Sequence, residues 1–163
     1  MASLDGLLFA TTFAAALGCG LMAGLFFAFS VAVMKALARL PPAEGIAAMQ
    51  AINLAILNPV FLTVFFGTAA ACVIVVIRSL FHWGDAGVVY LLTGGIFYLA
   101  GAVLVTLVFN VPKNRGLASI APADPESAQL WMDYLGKWTA WNHVRTAAAL
   151  AAAAALTIAL SVL

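Results

Sequence analysis

Four stretches of this chain, roughly residues 7–34, 56–77, 88–109 and 141–163, run for about 20 residues or more with almost no charge. A helix of about 20 apolar residues spans the hydrocarbon core of a bilayer, and in lipid only helices and closed barrels satisfy their own backbone polar groups. The first three stretches carry no charged side chain. In the fourth, Thr146 to Leu163 follows the last charge, Arg145, and covers about 27 Å at about 1.5 Å per residue. Composition agrees: 66% of the 163 residues are hydrophobic and 8% are charged, against roughly a quarter in a soluble domain. The expected fold is all-α: an integral membrane four-helix bundle, one domain over residues 1–163, with short interfacial helices in the first and third connections.

Charge placement gives an orientation. Lys35, Arg39, Lys113, Arg115, Lys137 and Arg145 lie in or beside the first and third connections, whereas the opposite side holds only Arg78. The positive-inside rule then puts those two connections in the cytoplasm, with both termini and the Phe81-His82-Trp83 turn outside. The expected location is a bacterial inner membrane. Met1-Ala-Ser-Leu-Asp5 lacks the basic start of a signal peptide, so the first span is expected to be retained. A net charge of +1 without a basic run gives no nucleic-acid footprint, which leaves the lipid bilayer as the first partner.

The connections carry helix signals of their own. Pro41-Pro42-Ala43-Glu44 opens a segment in which Ile46, Met49, Ile52 and Ile56 recur at helical spacing, with Gln50 and Asn53 on another face. Asn58-Pro59 reads as the cap and first position of the second span. Asp124-Pro125-Glu126 starts a further helix whose stripe of Leu130, Trp131, Tyr134, Leu135 and Trp138 is expected to lie along the membrane surface. Anchoring at the interface and lining a ligand pocket are both open for Trp131, Tyr134, Trp138 and Trp141. Ala16, Gly20, Gly24, Ala28 and Ala32, four residues apart, form a face that admits a close helix neighbour. Contact within the bundle is the expectation, with a homo-oligomer as the alternative. Gly94, Gly95 and Gly101 read the same way in the third span.

Polar side chains near a bilayer are costly, which makes them functional candidates. Here they converge on the basic side: Ser30, Lys35, Gln50, Asn53, Asn58, Asn110 and Asn114, then Thr139, Asn142, His143, Arg145 and Thr146 at the start of the fourth span. A pocket at the inner membrane boundary is expected. His143 suits a general base, and Arg145 suits an anionic oxygen, with Asn142 and Asn110 as neutral donors. The structural alternatives are an arginine that snorkels to headgroups and a histidine that is merely hydrogen-bonded. His82 and His143 lie on opposite sides, about 30 Å apart, too far to share a metal ion. A haem on one histidine stays open, without a motif to support it. Cys19 and Cys72 fall in apolar runs and read as packing residues.

Several of these segments together resemble the anthrone-oxygenase-like family of small membrane proteins. The resemblance rests on Gly24-Leu-Phe-Phe-Ala-Phe-Ser30 with Met34, on Gln50-Ala-Ile-Asn53 and Asn58-Pro59, on Asn110-Val-Pro-Lys-Asn114, and on Trp138-Thr-Ala-Trp-Asn-His-Val-Arg-Thr146. It implies oxidation of an anthrone-type hydrophobic aromatic by dioxygen without a metal or flavin. His143 would remove the acidic ring proton, and Arg145 with Asn142 or Asn110 would stabilise the enolate. Phe27, Ser30, Met34, Gln50, Asn53, Asn58, Asn114, Trp131, Trp138, Trp141 and Thr146 are the expected substrate-binding residues. The alternatives of another class are a subunit of a larger complex, a lipid or small-molecule binder, and a transporter. A transporter usually places its polar groups in mid-membrane, whereas here they gather at one boundary.

Overall fold

The computed structural model describes residues 2–124 and 126–163, with side chains from residue 6; Met1 and Pro125 lie outside the described residues. Four helices are long and apolar enough to cross a membrane: α1 (Gly6–Leu37), α3 (Pro59–Phe81), α4 (Val88–Ala118) and α5 (Ser127–Leu160). Between the first two lies α2 (Pro42–Ala55). Among the described residues there is no strand, and the chain is an all-α membrane bundle. α5 is its axis, packing along α1 and α4 and also against α2, while α3 packs on α1 and α4.

Helix length explains where the bundle opens. α5 has 34 residues, α1 has 32 and α4 has 31, each about 46–51 Å long at about 1.5 Å per residue. The hydrocarbon core is only about 30 Å thick, so these three helices project beyond it. α3, with 23 residues and about 35 Å, exceeds it by less than one turn. α2 packs against the projecting ends of α4 and α5 and completes a second core there, built from Met34, Leu37, Ile46, Met49, Leu117, Trp131, Tyr134 and Trp138. The first core lies within the spans and mixes small residues, among them Ala15, Cys19, Ala23, Cys72 and Ala149, with Phe26, Phe65, Tyr98 and Leu156.

Asn58 caps α3 as its sequence suggests: Oδ1 accepts from the amide of Phe61 at 3.0 Å, while Nδ2 donates to the carbonyl of Ala55 at 3.0 Å. This one side chain ties the end of α2 to the start of α3. Three expectations need correction. Trp131, Tyr134 and Trp138 do not lie on a separate surface helix, because the third connection runs straight into the fourth span as one helix and turns this stripe into the second core. The small face of α1 does not meet the bundle either. Gly20, Gly24, Ala28 and Ala32 are exposed, and nothing lies within 4 Å of a Cβ added at Gly20 or Gly24. The close approach uses Gly18 instead, where a Cβ would collide with the side chain of Thr68 on α3. Finally, the spans run beyond the expected 109 in α4 and begin before 141 in α5, because their polar ends remain helical once packed on α2.

Candidate functional site

Asn142 and Arg145 stand one turn apart on the inner face of α5, 0% and 6% exposed. Asn142 Nδ2 donates to the carbonyl of Phe26 and to Ser30 Oγ, both at 2.7 Å, which anchors α5 to α1. Its Oδ1 accepts from Arg145 Nη2. Arg145 Nη1 donates to Thr106 Oγ1 at 3.1 Å, and Thr106 donates onward to the carbonyl of Ala102 at 2.7 Å. The rings of Phe26 and Trp138 flank the guanidinium, with centroids 4.3 and 5.2 Å from its central carbon. Arg145 Nε is buried without a partner. Among the described residues the ion pairs are Arg78 with Asp85 and Lys137 with Asp133, both exposed, so no carboxylate neutralises Arg145.

The backbone beside this pair is wound wider than an α-helix. Ser30 lies in a π-helical stretch, Phe29–Val33, and Thr106 in another, Thr106–Asn110. Each stretch therefore carries one hydroxyl that meets the Asn142–Arg145 pair, in keeping with the frequency of π turns at functional sites.

A cavity of about 520 Å³ opens in front of Arg145, between α1, α2, the start of α3, α4 and α5. That size falls within the range of roughly 300–1,000 Å³ typical of small-molecule sites. Its walls are mainly apolar and aromatic, with Phe26, Phe29, Met49, Phe61 and Trp138 among them. Its polar lining comes from Gln50, Asn53, Thr106, Asn114, Arg115, Asn142 and Arg145. Asn114 Oδ1 accepts from Tyr134 Oη at 2.9 Å and from Trp138 Nε1 at 2.8 Å. An indole N–H only donates, so the carboxamide oxygen is the end committed to these rings and the Asn114 NH₂ is left free. Asn53 Nδ2 is buried with no partner. Gln50 Nε2 is used differently: it donates to the carbonyls of Leu117 and Ile120 at 2.8 and 3.0 Å, satisfying the end of α4 and tying it to α2. The spare polar groups at the cavity are thus mostly donors, with Arg145 buried among them and Arg115 at the exposed edge. Such a lining suits a flat, hydrophobic ligand that carries an oxygen acceptor or an oxyanion.

The family model for anthrone oxygenase matches residues 61–155. The chain belongs to the anthrone oxygenase family. Neither a curated protein nor a solved structure matches it. The matched segment begins at the cavity wall with Phe61 and takes in Thr106, Asn114, Trp138, Asn142 and Arg145. In this anthrone oxygenase family member, α1 and α2 supply the opposite wall from outside the matched segment.

Of the residues expected from sequence, Gln50, Asn53, Asn114, Trp138, Asn142 and Arg145 line the cavity together. Ser30 joins them through Asn142. Asn110 is buried just behind, donating from Nδ2 to the carbonyl of Trp138 at 3.3 Å, with its Oδ1 unpartnered. Met34 and Trp131 belong to the second core, where Gly45 leaves room for the Trp131 indole. Thr146 bonds back to the carbonyl of Asn142 at 2.9 Å, and Trp141 stacks on Phe109 with centroids 3.6 Å apart; neither lines the cavity. Phe27 and Asn58 are exposed outside it, Asn58 as a helix cap.

His143 also departs from expectation. It is exposed and does not line the cavity, because a residue one step from Asn142 points about 100° around the helix. Thr106 and Phe26 were missed as partners of Arg145. Phe26 lay inside a quoted motif, whereas Thr106 was signalled only as the last polar residue before Asn110 in the third span. Among the described residues, no group of three or more His, Cys, Asp or Glu is placed to hold a metal ion.

Proposed function

We propose that this protein oxidises an anthrone-type aromatic with dioxygen in the cavity in front of Arg145. The observation that carries the reading is a buried guanidinium, paired with no carboxylate among the described residues, at the wall of an aromatic cavity. A buried charge is costly unless something compensates it, and an oxyanion formed on a bound substrate does so. Phe26, Phe29, Phe61 and Trp138 hold the flat rings, while Arg145 with the free amides of Asn53 and Asn114 attracts the ring oxygen.

The overall conversion balances without a further reductant: anthrone and dioxygen give anthraquinone and water. The methylene carbon opposite the ketone loses a proton, and the resulting enolate places its negative charge on the oxygen at Arg145. The enolate gives one electron to dioxygen, and the two radicals join in a carbon–oxygen bond at the former methylene carbon. The peroxide takes up a proton. Loss of the remaining hydrogen on that carbon as a proton, with cleavage of the oxygen–oxygen bond, leaves the second carbonyl and releases water. Arg145 contributes by favouring the enolate over the neutral ketone, so the proton passes to water at the mouth of the cavity.

The test is oxygen uptake with anthrone by the detergent-purified protein and by Arg145→Gln. Loss of one preorganised group of this kind typically lowers kcat by about 10²–10³. Wild-type turnover by a folded Arg145→Gln protein would remove the basis of the proposal.

A further inference from the structure

The cavity wall and the outer surface of the molecule share two side chains. Leu54 and Leu57 both line the cavity, yet they are 75% and 63% exposed, and Val60 just beyond them is 76% exposed. These residues straddle the Asn58 cap at the entrance to α3. From Val60 an exposed, uncharged stripe continues along α3 at helical spacing through Thr63, Gly67, Ala70, Ile74 and Ile77, on a helix whose mean hydropathy is 2.7. The lip of the cavity is therefore continuous with the lipid-facing flank of a membrane span. On the other side of the mouth stands Arg115, exposed near the end of α4, where a long cationic side chain suits the headgroup layer.

We propose that the mouth between Leu54 and Leu57 is a lateral portal, through which a neutral, membrane-dissolved aromatic enters from the acyl region of the bilayer. The nature of the substrate rests on the oxidation proposed above; the direction in which the portal faces does not. Entry from lipid explains why the edge of the cavity beside α3 is leucine while Asn142 and Arg145 are set deep inside. A hydrophobic ketone partitions into the bilayer, crosses the leucine side of the lip opposite Arg115, and reaches Arg145 only after leaving the lipid.

The experiment places single cysteines at Leu54→Cys, Leu57→Cys and Arg115→Cys in the whole protein in lipid nanodiscs, where both membrane faces are open to reagents. The native Cys19 and Cys72 are fully buried, and the unaltered chain measures their background. Each variant is labelled with a lipophilic maleimide and with a charged methanethiosulfonate, and the ratio of the two rates is read. The expected result is a ratio at least tenfold higher at Leu54→Cys and Leu57→Cys than at Arg115→Cys. Equal ratios at the three positions would show that the mouth opens to water and would overturn the portal. A second arm compares oxygen uptake with anthrone before and after Leu57→Cys is labelled with pyrene maleimide. Uptake should fall at least tenfold, and unchanged uptake would also overturn the portal. If the unlabelled wild type consumes no oxygen with anthrone, the proposed oxidation fails, while the labelling ratios still decide which way the portal faces.

Discussion

The two cores of this bundle differ in grain: 8 of the 15 buried residues of the first are alanine or cysteine, and none of those of the second is. Within the spans, α1, α3, α4 and α5 meet through alanine and cysteine interleaved with Phe26, Phe65, Tyr98 and Leu156, and a Cβ at Gly18 has no room beside Thr68. Beyond the spans, α2 and the projecting helix ends meet through Trp131, Tyr134 and Trp138, and the polar network of Asn114, Asn142 and Arg145 lies between the two cores. Small residues let helices in lipid approach to close van der Waals contact. The cavity of about 520 Å³ lies where the two cores meet, lined by Phe26 of the first and by Met49 and Trp138 of the second. Substitutions in the first core should therefore change stability, and those around Arg145 should change chemistry.

The sharpest contrast is expected at Arg145→Gln. Oxygen uptake should fall by about 10²–10³, while thermal stability in detergent stays level or rises, because an uncompensated buried charge is removed. A variant that unfolds instead would make Arg145 a structural element and erase the distinction between the regions. Gly18→Leu should behave in the opposite way, losing about 1–3 kcal/mol of stability through overpacking against Thr68. Its surviving folded fraction should keep wild-type turnover per folded molecule.

Asn142→Ala bridges the two behaviours, since this amide both ties α5 to α1 and positions Arg145. It should cost about 1–3 kcal/mol of stability, from unsatisfied buried partners, together with about tenfold in kcat/KM. Thr106→Val keeps the shape and removes one hydroxyl from the guanidinium, so a loss of about 0.5–1.5 kcal/mol, measured as kcat/KM, is expected. The smallest effect belongs to His143→Ala. An exposed side chain outside the cavity should change neither stability nor oxygen uptake by more than about 0.5 kcal/mol. A large loss of uptake there, in a protein of normal stability, would return the general base to His143.

The four spans, the class of fold and the gathering of polar groups at one boundary could all be read from the chain, because hydropathy and length act locally and lipid leaves the backbone few choices. Asn58 as a cap was legible for the same reason: the residue and the amide it accepts from lie three positions apart. The motif around Trp138 also holds Asn142 and Arg145, which both line the cavity. Which face of α5 turned inward was not legible. Asn142, His143 and Arg145 are neighbours in sequence, and only packing against Ser30 on α1 and Thr106 on α4 buried two of them and left the third outside. The small stripe of α1 shows the same limit, because spacing identifies a face without naming what it meets. Sequence alone determined that this chain lives in a membrane and where its polar chemistry gathers. The cavity, the solitary charge of Arg145 and the apolar lip were decided by tertiary structure, because each depends on how distant helices are rotated and how far each extends beyond the bilayer.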